Sequence, residues 1–206
     1  MRLQRRRRDR VNVYLDGDYA FSLQAILAAE LRRGQALSDV EIEALQARDA
    51  AESAYDAALR YLSYRPRSER EIRRYLARRE LDEEAITEVL ARLRRQGFSD
   101  DRAFAQFWVE NREAFRPRGR YALRAELRLK GVDEGTIAAA LEGVDEEESA
   151  RRAAQGALRR LSRQDEPTFR RRMLGHLQRR GFGYEVARRV TESLWRELEA
   201  ERADGE

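Results

Sequence analysis

Cysteine is absent from the 206 residues, which excludes thiol nucleophiles, disulfides and cysteine metal sites. Histidine occurs once, at His176, among Arg171, Arg172 and Arg179. That setting disfavours a bound cation, and no second histidine or carboxylate cluster stands at ligand spacing, so a surface or helix-packing role is expected. No apolar run approaches the roughly 20 residues of a membrane span, and no apolar stretch follows the basic start as in a signal peptide. A cytoplasmic location is therefore expected. Gly-rich phosphate loops, nucleophile elbows and histidine triads are also missing, and Asp100 and Asp101 stand where a helix begins and capping accounts for them. Asp100, Asp101 and Glu110 do not share one helix face, which argues against a metal-dependent nuclease. Neither enzymatic activity, nor a metal, nor a cofactor is expected.

What the chain has is charge. Charged residues make up 39% and aromatics 8%, polar for a compact globule and normal for an elongated helical protein whose units each keep a wet face. The 42 basic and 38 acidic residues leave a net charge of only +4, so placement matters more than the sum. Lys130 is the sole lysine.

Residues 11–23 alternate apolar and polar on each side of Asp16-Gly17-Asp18, the chemistry of a tight hairpin turn. Ser22 or Leu23 is expected to open a short helix ending at Gly34, and Ser38 with Glu41 reads as a capping box starting another. From residue 50 the chain is helical and repeats. Its only prolines fall at 66, 117 and 167, offsets of 51 and 50. The same offsets superpose Ile72, Leu123 and Met173, then Leu76, Leu127 and Leu177, then Leu81, Val132 and Phe182. An internal repeat of this length signals an array whose neighbours bury each other's apolar faces.

Each unit reads as three helices: 50–63, 68–79 and 82–96; 99–114, 118–129 and 133–142; 145–162, 168–179 and 184–199. Gly97, Gly131, Gly143 and Gly181 mark helix ends; Ser68 with Glu71 makes a capping box, and Asp82, Ser99, Asp133 and Thr168 are expected caps. The expected fold is mainly α: three tandem three-helix repeats (50–97, 98–143, 144–200) forming an elongated curved array. A basic disordered arm (1–10) and a β-hairpin with short helices (11–48) precede it, and a disordered tail (201–206) follows.

The basic residues carry the functional signal. Residues 65–79 hold seven Arg against two Glu, and residues 116–130 six basic residues against one Glu. At 100° per residue Arg67, Arg70, Arg74 and Arg78 fall within about 80°, opposite Ile72, Tyr75 and Leu76. Arg120, Arg124 and Arg128 give a narrower version. Such a stripe suits an acidic partner, phosphate or protein, and Arg2, Arg5 to Arg8 and Arg10 add an arm that follows phosphates by charge. Phe104, Phe107, Trp108 and Phe115 read as core, whereas Tyr61 and Tyr64 read as exposed contacts.

Several segments resemble the RecX family, bacterial regulators of the RecA recombinase. Tyr64-Arg65-Pro66-Arg67-Ser68 with Glu71 resembles its Y-R-x-R-S-x-x-E segment. Gly97-Phe98-Ser99-Asp100-Asp101 follows, with Phe104, Ala105, Trp108 and Arg112. Arg118-Gly119 and then Leu123, Glu126, Leu127, Lys130, Gly131 and Val132 resemble its (K/R)-G and L-x-x-E-L-x-x-K-G-(I/V) patterns; Leu174, Leu177, Arg180, Gly181 and Phe182 match more weakly. The likeness spans about residues 50–195. It implies a monomer that docks in the groove of RecA polymerised on single-stranded DNA and modulates, most simply inhibits, ATP turnover, strand exchange and recombination, within DNA repair and the SOS response. Single-stranded and double-stranded DNA would be met by charge. Tyr64, Arg65, Arg67, Arg70, Arg74, Arg78, Arg118, Arg120, Arg124, Arg128 and Lys130 are the expected contacts. The alternative is a general nucleic-acid-binding helical repeat without a recombinase partner.

Overall fold

The computed structural model describes residues 2–3, 9–79 and 81–203. They divide into two compact units, Met1–Ser99 and Asp100–Glu206.

In the first unit β1 (Arg2–Leu3), β2 (Arg10–Leu15) and β3 (Asp18–Gln24) form an antiparallel sheet in that order. Asp16 and Gly17 both take positive φ, 51° and 102°, the requirement of a two-residue type I′ turn whose twist matches the strands it joins. The register slips between Val13 and Tyr14, a bulge. The sheet buries Val13, Phe21 and Leu23 with Leu27, Ala28 and Leu45.

Two expectations are corrected here. Ser22 and Leu23 belong to β3, and the helix after it, α1 (Ala25–Ala28), is only one turn. The arm is not unstructured at its ends: residues 2–3 pair with β2 and Arg10 opens that strand, while residues 4–8 lie outside the described residues.

The Ser38 capping box starts α2 (Asp39–Ser63), which continues as the first helix of the first repeat. No glycine or proline falls between 39 and 63, so nothing interrupts the backbone ladder. α3 (Glu69–Ala77) and α4 (Glu83–Arg95) complete that repeat around Ile72, Leu76, Ile86, Leu90 and Leu93.

The second unit holds α5 (Asp101–Phe115), α6 (Arg120–Lys130) and α7 (Glu134–Glu142) around Phe104, Leu123, Leu127 and Ile137. α8 (Glu146–Leu161), α9 (Glu166–Arg179) and α10 (Tyr184–Ala203) enclose Phe169, Met173, Leu177 and Trp195. Each three-helix repeat thus has its own core, and the superposed residues Ile72, Leu123 and Met173, like Leu76, Leu127 and Leu177, are all fully buried. α10 reaches Ala203, so residues 201–203 are helical rather than tail.

The capping expectations hold at Ser68, Asp82 and Asp133. They shift elsewhere: Asp100, not Ser99, caps α5, and Asp165, not Thr168, caps α9. Pro66 and Pro117 precede their helices, whereas α9 begins a turn earlier and holds Pro167 inside its first turn, where its missing N–H costs nothing. Gly97, Gly131 and Gly181 are left-handed, at φ 75°, 87° and 85°; Gly143 is not.

Within the second unit, the Gly119 N–H donates to the Arg180 carbonyl at 3.0 Å. A Cβ added to Gly119 would overlap the Gly181 carbonyl, and one added to Gly181 would overlap Ala122. The second and third repeats therefore meet backbone to backbone.

Candidate functional site

Arg70, Arg74 and Arg78 run along one exposed side of α3 and its C-cap. Among the described residues none has a carboxylate partner. Tyr64, the C-cap of α2, is 83% exposed beside them in sequence. The turn between α2 and α3 is rigid for a readable reason. Arg65 donates to both Glu71 carboxylate oxygens, 2.9 and 3.3 Å, and to the Pro66 carbonyl at 2.8 Å. The same Glu71 closes the capping box with Ser68, which is fully buried.

Arg67 and Tyr61 are corrected. Arg67 precedes the helix, so it is not part of the stripe; its guanidinium lies 4.0 Å over the Tyr61 ring. Tyr61 in turn stacks on Tyr75 at 4.3 Å and 5°, and Arg79 lies 5.0 Å from the Tyr75 ring. Tyr61 is therefore half-buried in a cation–aromatic ladder, and its ring is not a free contact.

The narrower second stripe is corrected as well. Arg124 and Arg128 both reach Glu134 of α7, at 3.1 and 2.8 Å. Arg120 donates to the Val144 carbonyl at 2.8 Å and lies 4.0 Å from Glu146. These guanidiniums hold α6 to the elements that follow it. Glu126 organises the remaining motif residues: it accepts from Trp108 Nε1 at 2.8 Å and Arg112 Nε at 2.7 Å, and Arg118 stands 4.0 Å away. Arg112 and Lys130 lie 4.6 and 4.9 Å from the Trp108 ring centre. Phe104 is core, but Phe115 is 78% exposed, against expectation. Asp100 caps α5 and Asp101 begins it.

Sequence reasoning missed Arg10. Its guanidinium sits 2.7 Å from Asp49 and donates to the Ser22 carbonyl at 2.9 Å, while Asp49 also accepts from the Gln24 N–H at 2.6 Å. Arg10 is a strut between sheet and α2, not part of a phosphate-seeking arm. Its partner lies far along the chain, beyond any local window.

No helix among the described residues is long and apolar enough to cross a membrane. None of their His, Asp and Glu side chains form a group of three that would hold a metal ion.

Comparison with known proteins agrees with this architecture. Residues 54–93, 100–141 and 145–191 match the first, second and third three-helix domains of RecX, and residues 1–38 match the RecX N-terminal domain. The Regulatory protein RecX of Bacillus pumilus is 30% identical over 98% of this chain and 78% of its own length. That of Streptomyces coelicolor is 40% identical over 77% of this chain and 85% of its own. A crystal structure of regulatory protein RecX superposes with a TM-score of 0.75 at 31% identity, covering 93% of this chain and 96% of its own. With all four segments matched in order and the three helical cores in register, the chain belongs to the RecX family of regulatory proteins.

Proposed function

We propose that the chain binds in the groove of RecA–single-stranded DNA filaments and restrains RecA ATP turnover and strand exchange, acting in recombination and DNA repair in the cytoplasm. The observation that carries this reading is the α3 stripe. Arg70, Arg74 and Arg78 are exposed and unpaired among the described residues, in a chain that spends most of its other helical arginines on carboxylates. Forked guanidiniums held on a rigid helix suit acidic protein side chains and DNA phosphates. Tyr64 extends the same turn outward, and Arg65, fixed on Glu71, sets its direction. Membership of the RecX family supplies RecA as the partner.

Co-sedimentation with RecA on single-stranded DNA tests this, with bare DNA and free RecA as controls. The wild-type chain pellets with the filament and slows strand exchange; Arg70→Glu/Arg74→Glu/Arg78→Glu keeps its circular dichroism spectrum and does neither. A folded triple variant that inhibits as well as wild type at low and high salt would remove the stripe from the mechanism.

A further inference from the structure

The third repeat carries a second cationic feature. A cleft of about 490 Å³ opens between α8 and α9, walled by Ala157, Arg160 and Leu161 on one side and Arg171, Arg172, His176 and Arg179 on the other. No carboxylate lines it. All four arginines are exposed, and none has an ion pair or hydrogen bond among the described residues. Asp165, which caps α9, is the acidic group whose field reaches Arg171.

The surrounding distribution makes this unusual. In the same repeat Arg151 reaches Glu197 at 2.9 Å, Arg170 reaches Glu166, Arg188 reaches Glu185 and Glu192, and Arg189 reaches Glu147 at 3.4 Å. Carboxylates are therefore plentiful and sit elsewhere. The helix macrodipole accounts for Arg160 and Arg179, each in the last turn of its helix, since cations are favoured there. It does not account for Arg171 and Arg172, which lie in the first half of α9. Slid by the repeat offsets, Arg171 and Arg179 fall where the first repeat has Arg70 and Arg78.

Four converging guanidiniums repel one another unless an anion bridges them, and their planar forks fit phosphate oxygens. The cleft has no aromatic lining, so it offers no platform on which a base would stack. Its open form and two-helix width suit a run of phosphates rather than a whole nucleotide. His176 fits the same picture: its Nε2 lies 3.2 Å from the Ala153 carbonyl, which orients the ring as a donor pair against α8.

We propose that the cleft between α8 and α9 is a phosphate-binding groove that takes the phosphodiester backbone of a nucleic-acid strand, read by charge and not by base. This site does not depend on RecA, so it stands or falls separately from the filament reading above.

The test uses the full chain and fluorescein-labelled oligothymidine, followed by anisotropy across a salt series. Arg171→Glu/Arg172→Glu should weaken binding about tenfold or more and flatten the salt slope by about one. The milder Arg171→Gln/Arg172→Gln should fall between, after melting curves show an intact fold. Arg188→Glu/Arg189→Glu changes the net charge equally on the same repeat and should weaken binding less. Equal loss in that control, or wild-type affinity and slope in both cleft variants, overturns the groove. Tripolyphosphate serves as competitor: displacement only at high excess supports a strand, whereas stoichiometric displacement overturns the strand in favour of a compact polyphosphate.

Discussion

α3 and α6 bury corresponding pairs, Ile72 with Leu76 and Leu123 with Leu127, all fully enclosed. Their outward faces differ. The offset of 51 places Tyr121, Ala125 and Leu129 where α3 has Arg70, Arg74 and Arg78, and Tyr121 and Leu129 are more than 70% exposed. The arginines of α6 occupy another side: Arg124 corresponds to Arg73, and Glu134 to Glu83. Both repeats pair these equivalents, Arg73 with Glu83 and Arg124 with Glu134. One conserved-in-register contact is thus internal glue, while the face beyond it is free to change chemistry from repeat to repeat. A basic helix is informative only once its neighbours have taken what they need.

The largest expected effect distinguishes the two N-caps. Ser68 and Gly119 are equivalent by the offset, yet Ser68 caps through its hydroxyl and Gly119 through bare backbone against Gly181. Gly119→Val should cost about 3 kcal/mol by overpacking, and Ser68→Ala about 1 kcal/mol by loss of the cap. Urea denaturation compares them; equal costs would mean that the two helices are anchored alike.

Next comes Glu126, the acceptor shared by Trp108 and Arg112. Glu126→Ala should cost about 2 kcal/mol, because it strands an indole N–H and a guanidinium. A shift of tryptophan fluorescence should accompany it, and an unchanged midpoint and spectrum would reduce Glu126 to a surface residue.

Smaller still on stability, and sharpest for the comparison, is an exchange of faces. Arg70→Tyr/Arg74→Ala/Arg78→Leu gives α3 the outward chemistry of α6. Each change should alter stability by less than about 0.5 kcal/mol, yet filament binding should drop to background in the pelleting assay. Retained binding would show that the two faces are interchangeable.

The slightest effect is on pH. Burial, and then the charges of Arg180, Arg179 and Arg160, hold the His176 imidazole below its usual range, while the Ala153 carbonyl opposes them. The unfolded chain therefore binds the proton more readily, so the stabilisation is complete above about pH 6.5 and is lost as pH falls below it. His176→Gln should flatten the slope of melting temperature between pH 7 and about pH 5. A slope identical to wild type would mean the ring is solvated.

Much of the fold was legible because its signals are local. Proline spacing, leucine register and the Ser68-to-Glu71 box need no more than a turn or two of chain. The α2 junction was legible too, since an uninterrupted stretch without glycine or proline gave no reason to divide it at residue 50. What escaped were partners distant in sequence: Asp49 for Arg10, Glu134 for Arg124 and Arg128, Gly181 for Gly119. Phe115 escaped for the converse reason, as its helical spacing suits a core that ends before reaching it. The unpaired α3 stripe was visible in composition, but only the absence of neighbouring carboxylates separates it from its counterpart on α6.

The bare-backbone joint between Gly119 and Gly181 bears on how such an array can lengthen. Copying one three-helix segment and appending it would reproduce the cores, because each is self-contained. It would not reproduce the joint, which requires two residues without side chains on segments contributed by different copies. A duplicated gene segment would have to acquire both before the new copy could seat, and a chain truncated after Gly143 would leave the Gly119 amide without its acceptor. Gain and loss of repeats are therefore constrained at the seam rather than in the repeats themselves.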